Sequence, residues 1–311
     1  MSLVETTLKK LQSARQGQGN AAPQAGSEPA RKSAPPPAPL PPPAVLRRIS
    51  PQLAVVEIDR SALRAAGLMP PEQQERQVAD QFRQIKRALI ANATGRGGNK
   101  VPNGNLIMTA SALPNEGKTF TSINLSMSLA LDKDIEVMLV DADVAKPHIS
   151  RIFGVEREAG LLDALKDDSI DVESLVIPTN IPRLSILPAG TRTDIATELL
   201  SSKHMQGTAA RLAARNPNRV ILLDSPPLLL TTESRALTAV VGQVVIVVCA
   251  GVTPQQAVLD AVSHVPQDKT IGFILNQTNV RASEGYYYGD GSYGNTEAGG
   301  ADKGSARESG R

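Results

Sequence analysis

Residues 106–119 read LIMTASALPNEGKT. The apolar run LIMTA (106–110) has the composition of a buried strand, and the residues after Thr119 have the pattern of a helix. Between them, Gly117-Lys118-Thr119 closes a match to the phosphate loop G-x-x-x-x-G-K-[ST], with Ala112 at the first glycine position. The chemistry accounts for the residue types. Backbone N–H groups and a helix N-terminus make an anion cradle, a lysine reaches the β- and γ-phosphates, and a hydroxyl ligates Mg²⁺. A bare GKT is weak, but GKT between a strand and a helix, with Pro114 and Gly117 shaping the loop, is a strong signal. The candidate nucleotide-binding stretch is therefore Pro114, Asn115, Glu116, Gly117, Lys118, Thr119 and Phe120.

Two further apolar runs end in acids. VMLVDAD (137–143) carries Asp141 and Asp143, which strand alternation sends to one side. VILLDSPP (220–227) carries Asp224, with Pro226 and Pro227 fixing the turn after it. The C-terminal edge of an open parallel sheet is where active sites form. Carboxylates at that edge can divide the work between holding Mg²⁺ and accepting a proton.

Around these motifs, the apolar runs at 106–110, 136–140, 220–223, 244–250 and 271–275 alternate with helix candidates near 118–131, 160–166, 194–215 and 254–264. That alternation predicts an α/β fold of the P-loop NTPase type, a mainly parallel sheet with helices on both faces. The nucleotide-binding core should cover 101–281. Before it, residues 51–100 form a helical extension, with a helix at 72–91 showing Val78, Phe82, Ile85 and Leu89 on one face. Residues 17–50 are a Pro-rich linker. In residues 1–16, Val4, Leu8 and Leu11 follow the spacing of a short amphipathic docking helix. Residues 282–311 read as a mobile tail.

That tail holds all four tyrosines of the chain, Tyr286, Tyr287, Tyr288 and Tyr293, among glycines that cannot build a core. The net charge of +2 divides into about +8 over residues 1–100 and about −6 beyond, a basic leader on an acidic body. One cysteine and three scattered histidines exclude a disulfide framework and argue against structural zinc. Cys249 reads as a buried strand residue, and Asn276 as either a base contact or a loop cap. The start lacks a signal peptide, and no apolar run has the length of a bilayer span, so a cytoplasmic protein is expected.

Taken together, these motifs resemble the bacterial tyrosine kinases of exopolysaccharide synthesis. The loop is similar to the family's S-x-x-P-x-E-G-K-T, DAD to its second Walker motif, and LLDSPP to its Walker B. Asp80-x-x-Arg83-x-x-Lys86 resembles the family's E-x-x-R-x-x-R helix, and the leader helix with its Pro-rich linker is most similar to the exosortase-associated autokinase branch. One departure is Ala145, with Lys146 following, where the family has arginine two positions after D-x-D.

The resemblance implies Mg-ATP-dependent autophosphorylation of the tail tyrosines on a neighbouring copy. It makes Asp141 the base, has Lys118 and Thr119 hold nucleotide and Mg²⁺, and gives Asp143 and Asp224 the metal. Asp80, Arg83 and Lys86 would contact another subunit of a ring-like homo-oligomer. A membrane-embedded chain-length regulator would activate the kinase at the inner face of the membrane, a cognate tyrosine phosphatase would oppose it, and no nucleic acid is involved. Two other readings stand beside it: a nucleotide-bound scaffold, and a partitioning-type ATPase. The second lacks its signature lysine here, because no lysine lies between Lys100 and Lys118.

Overall fold

The computed structural model describes residues 55–96 and 100–278. The expected docking helix, the whole Pro-rich linker and the tyrosine cluster lie outside the described residues. In chain order the elements are α1 (Arg60–Ala65), α2 (Glu75–Thr94), β1 (Leu106–Ser111), α3 (Lys118–Ala130) and β2 (Glu136–Asp141). There follow α4 (His148–Ile152), α5 (Leu161–Lys166), β3 (Ile177–Pro178), β4 (Leu184–Leu187), α6 (Ala196–Leu200) and α7 (Lys203–Arg215). The last are β5 (Arg219–Asp224), α8 (Thr232–Val240), β6 (Gln243–Cys249), α9 (Gln255–Ser263) and β7 (Thr270–Asn276).

The strands make one seven-stranded sheet in the order β3-β4-β2-β5-β1-β6-β7. Every pairing is parallel except β3 with β4. Central strands of such a sheet are covered on both faces and so read as continuous apolar runs. Strand β1 is buried at every position, whereas β7 at the edge is only half-buried.

Side-chain parity sorts the core into two clusters. Met108, Met138, Ile221, Leu223 and Ile246 meet Leu162, Met205, Leu212 and Leu237 on one face. Ile107, Leu139, Leu222 and Val245 meet Leu63, Phe82, Leu89, Ile123, Leu129 and Ile149 on the other. Helices α1 and α2 thus pack on the same sheet as the phosphate-loop helix. Burying Phe82 and Leu89 stabilises this docking by roughly 1.5–3 kcal/mol each, and the Phe82 ring lies 6.5 Å from that of Phe120.

Several local outcomes differ from the sequence reading. The helix expected over 194–215 is two helices, because Ser202 accepts a hydrogen bond from the Met205 amide and starts α7 afresh. Helix α2 runs on to Thr94, where Gly95 at φ 75° ends it. Helices α1, α4 and α8 and strands β3 and β4 had no clear periodic signal, and most of them are short. Strand β2 stops at Asp141, so Asp143 sits in the following turn rather than on the strand. Its own main-chain and side-chain oxygens accept the Lys146 amide there.

Candidate active site

Three neighbouring strands, β2, β5 and β1, bring the motifs together at one sheet edge. Asp141 pairs in register with Asp224, and Asp224 with Thr109, two residues before the end of β1. The loop after β1 then turns into α3 through Gly117, which holds φ 94°. Helix N-termini offer unpaired N–H groups and a partial positive charge, so residues 117–120 present an anion cradle.

The side chains converge on Asp224. Thr119 Oγ1 donates to its Oδ2 at 2.9 Å, and Ser122 Oγ donates to its Oδ1 at 2.8 Å. Burial pushes the Asp224 carboxyl up to about 6, against the lowering effect of those two hydroxyls. Lys118 Nζ donates to Ser111 Oγ at 2.9 Å. Burial holds the Lys118 ammonium below its ordinary range, while Asp224, Asp143 and Glu116 pull it back up. Asp143 is raised, chiefly by burial, although Lys118 opposes this.

Asp141 is fully buried. Its Oδ2 accepts from the Ser150 amide and from Ser150 Oγ, each at 2.7 Å. Burial raises its carboxyl to about 7 despite those two bonds, and Asp224 and Asp143 add a smaller push.

The expected loop residues divide by role. Pro114 and Asn115 are exposed, and Asn115 holds φ 62°. Glu116 is buried and faces inward: it accepts from the Leu113 amide at 2.7 Å and from Thr253 Oγ1. Its carboxylate therefore braces the loop, and its backbone remains part of the candidate nucleotide-binding stretch. The Phe120 ring is half-buried and packs against the core, while its backbone belongs to the α3 N-terminus. Asn276 is a loop cap, donating to the Glu116 carbonyl at 2.9 Å, and the neighbouring Gln277 donates to that of Asn115 at 3.1 Å. Cys249 is buried as expected, and its Sγ donates to Gln277 Oε1 at 3.1 Å.

Ser122, Ser150, Thr253 and Gln277 were not legible as site residues. Only their small polar character in apolar or loop surroundings hinted at them. On α2, Asp80 and Arg83 form an exposed pair at 2.6 Å, while Lys86 donates to the Ser128 carbonyl at 3.0 Å and so ties α2 to α3.

The donor set fits Mg²⁺ brought in with a nucleotide. Among the described residues no group of three or more His, Cys, Asp or Glu could hold a metal alone. Mg²⁺ commonly takes one or two protein carboxylates and completes its shell with phosphate and water. Thr119 and Asp224 supply the hard oxygens for that arrangement, and Asp143 lies close enough to act on Lys118.

A family model described as an AAA domain matches residues 114–268. The tyrosine-protein kinase YwqD of Bacillus subtilis is 32% identical over 186 residues, covering 59% of this chain and 77% of that protein. The succinoglycan biosynthesis transport protein ExoP of Rhizobium meliloti is 28% identical over 69% of this chain, a match confined to 27% of its own length. Among solved structures, the VpsO kinase domain superposes with a TM-score of 0.55 at 29% identity, covering 67% of this chain and 100% of that one. Among the described residues no helix is long and apolar enough to cross a membrane. A phosphate loop and acidic strand ends laid out on this sheet, with a match across most of a curated tyrosine kinase, establish that the chain belongs to the bacterial tyrosine-kinase family.

Proposed function

We propose that this chain is a Mg-ATP-dependent autokinase that transfers phosphate to Tyr286, Tyr287, Tyr288 and Tyr293 of a neighbouring copy, in the service of exopolysaccharide synthesis or export. The observation that carries the reading is the registered pair Asp141 and Asp224 beside the Lys118–Thr119 cradle. Two acids held in different surroundings can take different roles. Asp224, bonded to Thr119, is the metal-side carboxylate, with Asp143 as its companion. Asp141, with a carboxyl raised to about 7, is the base for the tyrosine hydroxyl near neutral pH.

The chain's residues do the following. The α3 N-terminus and Lys118 hold the β- and γ-phosphates, and Thr119 and Asp224 would hold Mg²⁺, which offsets phosphate charge when bound. The tyrosine oxygen bonds to the γ-phosphorus as its proton passes to Asp141. The bond from that phosphorus to the bridging oxygen breaks, and its electron pair stays on ADP.

The distance along the chain supports transfer between copies. Ten residues separate Asn276 from Tyr286, an extended reach of up to about 33 Å. The exposed Asp80–Arg83 pair, with Lys86, is the proposed subunit contact of a ring-like homo-oligomer. The membrane-embedded chain-length regulator is the proposed activator, and the likeness to ExoP, a succinoglycan biosynthesis transport protein, points to the same kind of process.

The test is the intact mass of the full chain after incubation with Mg-ATP, beside Lys118→Met and a truncation ending at Ser283. Phosphate added only to the intact wild type, and mapping to Tyr286–Tyr293, is the expected result. Tight ADP binding with no phosphate in the tail, even with the regulator's cytoplasmic segment added, would refute the reading.

A further inference from the structure

Ser150 has no place in the nucleotide cradle, yet it is the side chain bonded to the buried carboxylate of Asp141. It lies on α4, almost fully buried. Its amide and its Oγ both donate to Asp141 Oδ2 at 2.7 Å, and its Oγ accepts from the Ala189 amide at 3.1 Å. The Ala189 contact occupies the hydroxyl's lone-pair side, so the single O–H hydrogen is directed at Asp141. The other oxygen, Asp141 Oδ1, is buried and has no hydrogen-bond partner.

A carboxylate ordinarily presents two equivalent oxygens that exchange by rotation about a soft terminal torsion. Two donors on Oδ2 remove that equivalence and leave Oδ1 as the acceptor with free capacity. Buried acceptors without partners are uncommon in native proteins, and a catalytic role is one of the reasons such an atom is kept.

We propose that Ser150 is a positioning residue for phosphoryl transfer: it pins Asp141 Oδ2 so that Oδ1 is the atom that receives the tyrosine proton. This rests on Asp141 acting as base in the reaction above. The proton moves from the tyrosine oxygen to Oδ1, the tyrosine oxygen bonds to the γ-phosphorus, and the bond from that phosphorus to the bridging oxygen breaks with its electron pair left on ADP. The competing account makes Asp141 merely a cap for the first turn of α4, a job the Ser150 backbone amide performs without the hydroxyl.

Substituting the side chain separates the two, because Ser150→Ala keeps the amide bond and removes only Oγ. Autophosphorylation of the full chain would be followed for wild type, Ser150→Ala and Ser150→Cys, with half-saturating ATP, fluorescent-ADP affinity and melting temperature measured in parallel. The alanine variant should slow transfer at saturating Mg-ATP by ~10- to 100-fold. Half-saturation and ADP affinity should stay where they are, and cysteine, a weak donor, should fall between. An alanine variant as fast as an active wild type overturns the role. So does a rate loss matched by lost ADP affinity or an unfolded protein, which assigns Ser150 to structure alone. A wild type that transfers no phosphate overturns the kinase reading and, with it, this role.

Discussion

Gly117 offers a quantitative test of how the phosphate loop is held. Its backbone stands at φ 94° and ψ 28°, and a Cβ built there would lie 1.9 Å from Asn276 Nδ2. That nitrogen is the end of a side chain that can swing away, but only by giving up its bond to the Glu116 carbonyl. Gly117→Ala therefore carries two costs: about 1–2 kcal/mol for an L-residue in left-handed backbone, and about 0.5–1.5 kcal/mol for the released hydrogen bond. Asn276→Ala alone removes the bond and should cost about 0.5–1.5 kcal/mol. In the double variant the bond is lost once rather than twice, so the cycle should be sub-additive by about that amount. Urea denaturation of the four proteins at a single pH reads this directly. A cycle that closes additively would show that Asn276 does not stand over Gly117. A Gly117→Ala protein as stable as wild type would refute the left-handed backbone as well.

Three further outcomes follow from the same geometry. Ser122→Ala removes one of the two hydroxyls on buried Asp224 and should destabilise the protein by about 1–3 kcal/mol in a urea melt; Thr119 alone sustaining full stability would contradict the arrangement. In EDTA, Asp141 should make stability fall as pH rises. Its folded carboxyl, at about 7, lies above the ordinary value of 3.8, so between those values the native state binds more protons than the unfolded chain. The contribution is fully present below about 4 and gone above about 7, so Asp141→Asn should gain on wild type in melting temperature from pH 5 to pH 8. A constant difference would refute the raised carboxyl. Finally, Arg83→Glu should change monomer stability by less than about 0.5 kcal/mol, since its partner is an exposed Asp80. It should nevertheless lower the assembly's mass by native mass spectrometry; an unchanged assembly would remove this face of α2 from the subunit contact.

Much of the fold was legible because its signals are local. Each central strand is an unbroken apolar run, and an acid or a phosphate loop stands where three of them end. The sequence reading failed where structure depends on few residues or on distant partners. Helix α4 spans five residues and β3 only two, too short for a period to declare itself. The inward-facing carboxylate of Glu116 could not be foreseen, because its partner Thr253 lies far along the chain. Asp143 looked like a strand residue because nothing in VMLVDAD marks Asp141 as the last paired position.

Strand order explains why the acids could be found while their donors could not. In β2, β5 and β1 the side chains of Leu139, Leu222 and Ile107 all point to the cluster built with α1 to α4. Asp141, Asp224 and Thr109 keep the same parity two positions on, so all three must meet whatever α3 and α4 present. The sequence supplies that parity without knowing which helix lies opposite. Once α3 covers β5, Thr119 and Ser122, three apart and on one helical face, both reach Asp224. Once α4 follows β2, its first turn closes on Asp141, and Ser150 is the residue that falls there. Moving a hydroxyl by one position on either helix would turn it off that face and leave a buried carboxylate short of a donor. The spacing of Thr119, Ser122 and Ser150 is therefore as much a part of the site as the GKT motif itself.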